Sequence, residues 1–275
     1  MRKGSVICLL CIFLFFAGYS QNDSKKESVY TLRPGVDIPI IAIGTGFTLY
    51  ATTQIYSKGP STEEQINNLN TSNINSFDRW AVTPYSKSMD KFSYIPFNAS
   101  FAFPLVMLLV RDDTRHDFWK ISFLYWEALS ITGMFGAGAP FFIDRYRPYS
   151  YDITGETSME QRQVQNAKNS AFSGHVEVVA TSTFFIAKVY SDYYPDTKLV
   201  MYGLATVLTG GMAYTRLMGG MHFPSDVLIG AAIGTLSGIL VPHFHKTKST
   251  KAPDISILPY STGDARGLIL TYKLK

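Results

Sequence analysis

Cysteine is almost absent from the chain. The two cysteines, Cys8 and Cys11, lie close together near the N-terminus, so the rest of the sequence can build neither a disulfide framework nor thiol chemistry. Charge is also scarce: charged residues make up 17% of the chain and the formal net charge is +4. That charge is mild, and no basic run with interleaved aromatics stands out, so the sequence indicates no nucleic-acid partner.

Period-two alternation is missing from the apolar segments, which argues against a β architecture for the core. Hydrophobic residues make up 46% of the sequence, and six apolar segments account for many of them: residues 38–55, 94–110, 118–143, 175–190, 199–214 and 224–242. Their lengths straddle the ~17–25 residues that cross a bilayer. They can be transmembrane helices or the buried helices of a compact domain. Either way, we predict an all-α, membrane-associated bundle of about six apolar helices.

The two ends of the chain differ from this pattern. Arg2 and Lys3 precede an apolar run at residues 6–17, which is followed by the small residues Gly18 and Ser20. This order is typical of a secretory signal peptide. An uncleaved N-terminal anchor is the alternative. At the other end, the stretch "DISILPYSTGDARGLILTYKLK" holds two strand-like runs around a Gly/Asp turn signal. It predicts a short β-hairpin-like tail.

Three motifs at the ends of apolar segments carry the polar chemistry. They are "DRYRPYS" at residues 144–150, "FSGHVEVV" at 172–179 and "TRLMGGMHFPSD" at 215–226. The candidate site residues in them are Arg145, Arg147, Ser173, Gly174, His175, Arg216, His222 and Asp226.

The second motif predicts an anion site. Ser173 and Gly174 precede a predicted helix, so accessible backbone N–H groups and the positive end of the helix dipole lie beside them. Arginine side chains from the other motifs match tetrahedral oxyanions.

The third motif predicts a held histidine. Pro224 suits a first helical position, which puts Asp226 at the third, where its carboxylate can reach back over the helix start. We expect this carboxylate to hold one nitrogen of His222 and leave the other free to attack. His175 can serve as the acid for a leaving group. Together these groups would supply the nucleophile, the acid and the anion site for phosphoryl transfer through a phosphohistidine.

The order and spacing of these motifs resemble the type-2 phosphatidic acid phosphatase superfamily, which includes bacterial acid phosphatases and vanadium haloperoxidases. Its pattern is Lys-x6-Arg-Pro, then Pro-Ser-Gly-His, then Ser-Arg-x5-His-x3-Asp. The resemblance covers roughly residues 95–242 and is most specific in the third motif, Thr215-Arg216-x5-His222-x3-Asp226.

The resemblance implies a role for each matching residue. His222 is similar to the phosphorylated nucleophile, Asp226 to the residue that orients it, and His175 to the general acid that later activates water. The phosphate-binding set would be Arg147, Arg216, Ser173 and the Gly174 N–H. No metal or other cofactor is implied for a phosphatase.

Three positions depart from the family pattern. Pro140 stands where the family has its lysine, Thr215 replaces serine and Phe172 replaces proline. Proline cannot donate to a phosphate. Arg145 is the nearest spare cation, and we expect it to join the phosphate-binding residues in place of the lysine, although its position does not match. Losing one phosphate contact costs ~1.5–3 kcal/mol, or roughly one to two decades in rate.

These features predict four regions. Residues 1–20 form the signal peptide or anchor, 21–92 a leader with an apolar helix and polar connector, 93–245 a phosphatase-like catalytic core, and 246–275 the tail. Outside the motifs, we expect His116, His243 and His245 to be solvated, and we assign no role to Glu127 or Glu177.

The predicted function is metal-independent hydrolysis of a phosphomonoester or diphosphate on a lipid or isoprenoid. The alternatives are a vanadium-dependent haloperoxidase and a catalytically weak envelope protein of the same fold. The family places its motif loops outside the cytoplasm, so we predict a periplasmic or inner-membrane protein with its site facing the periplasm. Lysines in the tail favour a cytoplasmic C-terminus. A cleaved signal peptide followed by six spans would put the motif loops in the cytoplasm and the C-terminus outside, which conflicts with both expectations. The conflict disappears if the whole domain is periplasmic, or if residues 38–55 do not cross while the N-terminal segment stays as the first span.

Overall fold

The computed structural model describes residues 28–247 together with the backbone of residues 255–262 and 265–272. The predicted signal peptide and both cysteines lie outside the described residues.

Six long helices form the body of the described chain. They are α1 (Pro34–Ile55), α4 (Lys87–Val110), α6 (Phe118–Phe142), α8 (Gly174–Tyr193), α9 (Lys198–Met218) and α10 (Pro224–His245). Four short helices lie between them: α2 (Glu63–Asn67), α3 (Ser76–Arg79), α5 (Asp112–His116) and α7 (Met159–Gln163). The prediction of an all-α bundle of about six apolar helices is confirmed.

The long helices alternate in direction, so the connections gather at two ends. At one end, the Ser86 amide donates to the Gly219 carbonyl, and the Tyr149 amide donates to the Gly220 carbonyl, at 3.2 and 3.1 Å. At the other end, the Thr31 amide donates to the His245 carbonyl at 2.8 Å. The first of these, here called the motif end, contains all three sequence motifs.

Helix α8 is the central helix, because α4, α6, α9 and α10 all pack against it. Its apolar side chains Phe185 and Ile186 join Ile121 and Leu124 of α6 in the main core, and all four are essentially inaccessible to solvent. Tyr125 crosses this core and bonds to Ser182 of α8 at 2.7 Å. Burial of these side chains fixes how α6 lies on α8.

Three glycines let α10 approach α8 closely. A Cβ atom at Gly230, Gly234 or Gly238 would lie 2.8, 2.2 or 2.5 Å from a backbone oxygen of the second motif segment or α8. The glycines are four residues apart and so form one row along α10. No larger side chain fits in this row without moving the helices apart.

Three of the long helices, α1, α4 and α10, are long and apolar enough to cross a membrane. In the apolar 18-residue stretch of each helix, only 22%, 22% and 39% of the residues are buried within the protein. Their remaining apolar surface faces outward, which supports a membrane location.

The predicted tail hairpin is confirmed. Strands β1 (Ile255–Thr262) and β2 (Ala265–Tyr272) pair antiparallel, with Ile255 opposite Tyr272 and Thr262 opposite Ala265.

Replacing Gly234 by alanine should destabilise the bundle by about 3 kcal/mol, because the added methyl meets the backbone of α8 and overpacking costs ~1–3 kcal/mol. Gly211→Ala in α9 is the matched control, since a Cβ atom added there would meet no neighbouring atom within 4 Å. That change should be neutral or slightly stabilising, because alanine is the better helix former. Equal thermal unfolding midpoints for the two variants would show that the α8–α10 contact is looser than described.

Candidate active site

The three motifs meet at the motif end of the bundle. The Ser173 amide of the second motif donates to the carbonyl of Asp226 in the third at 3.1 Å. Arg147 of the first motif donates to the Met221 carbonyl at 2.7 Å. One backbone bond and one bond from the Arg147 guanidinium thus hold the three segments together.

A glycine turn shapes the third motif. Gly220 has φ +68°, a conformation that favours glycine. A Cβ atom there would lie 2.8–2.9 Å from the carbonyl oxygens of Pro84 and Thr83. The turn therefore packs closely against the connector before α4.

His222 is buried with one defined tautomer. Its Nδ1 lies 2.9 Å from the Ser170 carbonyl oxygen, which can only accept, so Nδ1 carries the proton. Its Nε2 lies 3.1 Å from Nη1 of Arg147 and holds the lone pair. Burial and the nearby Arg147 and Arg216 guanidinium groups lower the pKa of His222 well below its usual range. The imidazole is therefore neutral, with Nε2 poised as a nucleophile.

Asp226 does not bond directly to His222, so the predicted contact between them is wrong in its detail. Its Oδ2 instead accepts from the Ser170 hydroxyl at 2.7 Å and from the Phe223 amide at 3.0 Å. The second bond confirms that the carboxylate reaches back over the start of α10. Asp226 orients His222 through Ser170, whose hydroxyl faces the carboxylate and whose carbonyl faces the imidazole.

Arg145 lies in a carboxylate network and not in the anion pocket, which corrects its expected role as a phosphate ligand. Its guanidinium donates to Asp226 and, at 2.7 Å, to Oδ2 of Asp78. It also lies over the ring of Phe223 at 4.6 Å. Both terminal nitrogens of the guanidinium donate to carboxylates, so Arg145 has a structural role.

Asp78 was missed by the sequence reasoning, although it is fully buried. It accepts from the Ser225 hydroxyl and amide as well as from Arg145. Burial alone would raise the pKa of Asp78, but the hydrogen bonds from Ser225, Asn75 and Arg145 hold it below its usual value. The only sequence signal was its place in the short amphipathic stretch "INSFDRWA", which forms α3.

Three buried polar atoms of the second and third motifs have no hydrogen-bond partner among the described residues: Ser173 Oγ, His175 Nε2 and Arg216 Nε. Arg216 and His175 both act electrostatically on His222, which places them around the same space. Buried donors left without partners are costly. Ser173 precedes α8 and His175 lies in its first turn, so these atoms form a candidate anion pocket at the helix start.

Arg216 is held from the side by α4. Its Nη1 donates to Asp90 at 2.8 Å and to the Ser93 hydroxyl at 2.7 Å, and the residue is only 1% exposed. These contacts fix the guanidinium and leave Nε free. Sequence reasoning named Arg216 but neither of its partners, because they lie on a helix distant in sequence.

Two aromatic rings of α4 cover His175. Phe97 stacks on the imidazole with ring centroids 4.3 Å apart, and Tyr94 meets it edge-on at 4.8 Å. They form an apolar wall beside the anion pocket. The rings fix the orientation of His175 and exclude water from one face of it.

Pro140 is buried in the last turn of α6. Gly136, one turn earlier on the same face, lies next to α8, where its Cβ would be 3.8 Å from Gly174 Cα. The Lys58 ammonium donates to the Pro140 carbonyl and to Asp144. A lysine therefore approaches the position of the family lysine from another segment, but Asp144 and the carbonyl already bind it.

The remaining histidines divide into two kinds. His116 and His243 are exposed, as expected. His245 is buried, with 6% exposure, so the expectation that it is solvated is wrong. Glu127 and Glu177 are both buried.

The family model of the PAP2 superfamily matches residues 120–250 of the chain. The matched region, a little under half of the chain, includes all three motifs. The match supports a phosphatase of the PAP2 type.

Among solved structures, the chain is similar to a transmembrane PAP2-type phosphatidylglycerolphosphate phosphatase from Bacillus subtilis. The identity is 17% and the TM-score 0.41, over 86% of this chain and 94% of the other. No curated protein matches the chain.

Replacing Arg145 by methionine should lower stability by about 2–3 kcal/mol, because it leaves the buried Asp78 and Asp226 carboxylates unpaired. This is slightly below the ~3–5 kcal/mol for breaking a fully buried ion pair, since the Arg145 side chain is 26% exposed. The control is Arg115→Met, which breaks an exposed pair with Asp112 and should cost ~0–1 kcal/mol. A thermal midpoint for Arg145→Met as high as that of the control would contradict the network.

Proposed function

We propose that this protein hydrolyses a phosphomonoester or diphosphate on a lipid or isoprenoid through a phosphohistidine at His222. The observation that carries the proposal is the set of unpartnered buried donors around the His222 lone pair. A tetrahedral phosphate would satisfy them all at once.

The first half-reaction forms a bond between His222 Nε2 and phosphorus and breaks the bond to the leaving oxygen. Arg147 donates to Nε2 in the present state and would turn its donor to a phosphate oxygen, which frees the lone pair. Arg216 Nε, Ser173 Oγ and the Gly174 amide are the further oxyanion donors. They stabilise the charge that develops on the transferring group.

His175 is proposed as the general acid. Its Nε2 has no hydrogen-bond partner in the described structure, and a bound phosphate anion would favour its protonated form. It gives this proton to the leaving oxygen, and in the second half-reaction it takes a proton from the water that attacks the phosphohistidine. All of these roles fall on side chains and backbone amides, so we propose a metal-independent hydrolase.

The surroundings of the pocket support a lipid substrate. Phe97, beside His175, meets Phe101 at 5.3 Å, and Phe101 is 40% exposed. Both lie on α4, which is long and apolar enough to cross a membrane. An apolar chain could therefore lie along α4 while its phosphate reaches the pocket.

We further propose that the pocket faces the periplasm. Helix α1 packs along α6 and ends at the motif end, where the Ile55 carbonyl accepts from Asn169. If α6 crosses the membrane, α1 crosses with it, so an arrangement in which α1 alone stays outside is not supported. Of the two arrangements considered from the sequence, the one that places the whole domain on the envelope side is therefore favoured.

Replacing His222 by alanine should abolish phosphate release, with a loss of about 10⁴-fold or more, because the nucleophile is removed. We would compare phosphatidic acid, phosphatidylglycerol phosphate, undecaprenyl diphosphate and lipid A phosphates as substrates. His116→Ala, which changes an exposed histidine in α5, is the control and should retain wild-type turnover. Unchanged release by a folded His222→Ala protein would rule out the mechanism.

The location can be tested by labelling single cysteines with a membrane-impermeant maleimide after Cys8 and Cys11 are changed to serine. Glu156→Cys reports on the exposed loop at the motif end and Asp196→Cys on the exposed turn at the opposite end. Both should be labelled in intact cells if the whole domain lies on the envelope side. Labelling of Glu156→Cys only after the inner membrane is opened would overturn the proposed location.

A further inference from the structure

A second buried polar cluster lies at the end of the bundle opposite the motifs. It is formed by Asp37 at the start of α1, Glu127 in α6 and His245 at the end of α10. Asp226 and His245 begin and end the same helix, and at ~1.5 Å per residue they are about 28 Å apart. The cluster is therefore distinct from the His222 site.

The three side chains converge on one point. His245 Nε2 lies 3.0 Å from Asp37 Oδ1 and 3.8 Å from Glu127 Oε2, and all three ligand atoms lie within 4.8 Å of one another. Ligands at ~2.0–2.2 Å from a tetrahedral zinc ion are separated by about 3.4 Å. The observed separations bracket this value, so a small side-chain adjustment would give the geometry of a metal site.

Backbone groups hold two of these side chains in the orientation that a metal needs. His245 Nδ1 lies 2.8 Å from the Val241 carbonyl oxygen, which must accept, so Nδ1 carries a proton. In the neutral imidazole, Nε2 then carries the lone pair and points at the carboxylates. Asp37 uses its other oxygen to accept from the Arg33 amide at 2.6 Å. Outer contacts of this kind orient metal ligands in proteins.

Glu127 provides the independent sign that a ligand is missing. It is 3% exposed, and its Oε2, the atom that faces His245, has no hydrogen-bond partner among the described residues. Arg33 is also near Glu127, but its guanidinium donates to the Phe244 carbonyl. A buried carboxylate oxygen without a donor is costly unless a cation or a proton meets it.

We propose that Asp37, Glu127 and His245 bind a divalent transition-metal ion of the zinc type. The imidazole nitrogen favours such an ion over Mg²⁺ or Ca²⁺, which prefer oxygen ligands alone. Bound there, the ion would join the start of α1 to α6 and to the end of α10. Its role is structural, because about 28 Å separates it from the catalytic histidine.

Zinc binding by the full-length protein in detergent micelles, stripped with a chelator, tests the proposal. We expect one high-affinity Zn²⁺ per chain by titration calorimetry, and a rise in the thermal midpoint when Zn²⁺ is added. Glu127→Gln keeps the size of the side chain but removes its charge, and should weaken binding by at least about 100-fold. His245→Gln should do the same.

Two control variants separate this site from other histidines. His243→Gln changes an exposed histidine on the same helix, and His222→Ala changes the proposed nucleophile; both should bind Zn²⁺ as the wild type does. A stripped wild-type protein that takes up no Zn²⁺ would overturn the proposal, and so would wild-type affinity in Glu127→Gln. Either result would mean that a proton on Glu127 and an Asp37–His245 ion pair satisfy the cluster. Because binding and the thermal midpoint are measured without a substrate, neither result bears on the proposed phosphatase activity.

Discussion

The close contact between α8 and α10 is the constraint on which the site depends. The second motif supplies a helix start with an unpaired hydroxyl and imidazole, and the third supplies the nucleophile. They can share one pocket only because the glycine row of α10 lies against the backbone of α8. The same approach brings the Ser173 amide to the Asp226 carbonyl. Helix packing and the geometry of the anion pocket are thus set by a single interface.

Much of this arrangement was predictable from the sequence, because the information was local. Hydrophobic segment lengths gave the six helices, and Pro224 with Asp226 gave the start of α10. What sequence reasoning missed was carried by contacts between distant segments. Ser170, Asp78 and Asp90 are ordinary polar residues in the sequence, and only the fold brings them to Asp226, Arg145 and Arg216. His245 was misjudged because it lies in a basic tail, whereas α10 continues through it and α1 covers it.

The charged groups of the site form two separate layers. Arg147 and Arg216 face the pocket, whereas Arg145 lies behind it between two buried carboxylates. Ser170 connects the layers, since its hydroxyl contacts the rear carboxylate and its carbonyl contacts His222. The rear layer therefore sets the tautomer and angle of His222 without lowering the positive charge that faces an incoming anion.

The glycine row also fixes the position of α10 near its middle. Gly234 lies near the middle of the helix, about 12 Å from Asp226, so rocking the helix about this point by about 5° would move Asp226 by about 1 Å. A displacement of that size at a reacting group can cost ~10²-fold in rate. Since a Cβ atom at any glycine of the row would lie only 2.2–2.8 Å from a backbone oxygen, the row leaves α10 little freedom to rock. The position of Asp226 therefore depends on helix packing about half a helix away, in the apolar middle of the bundle.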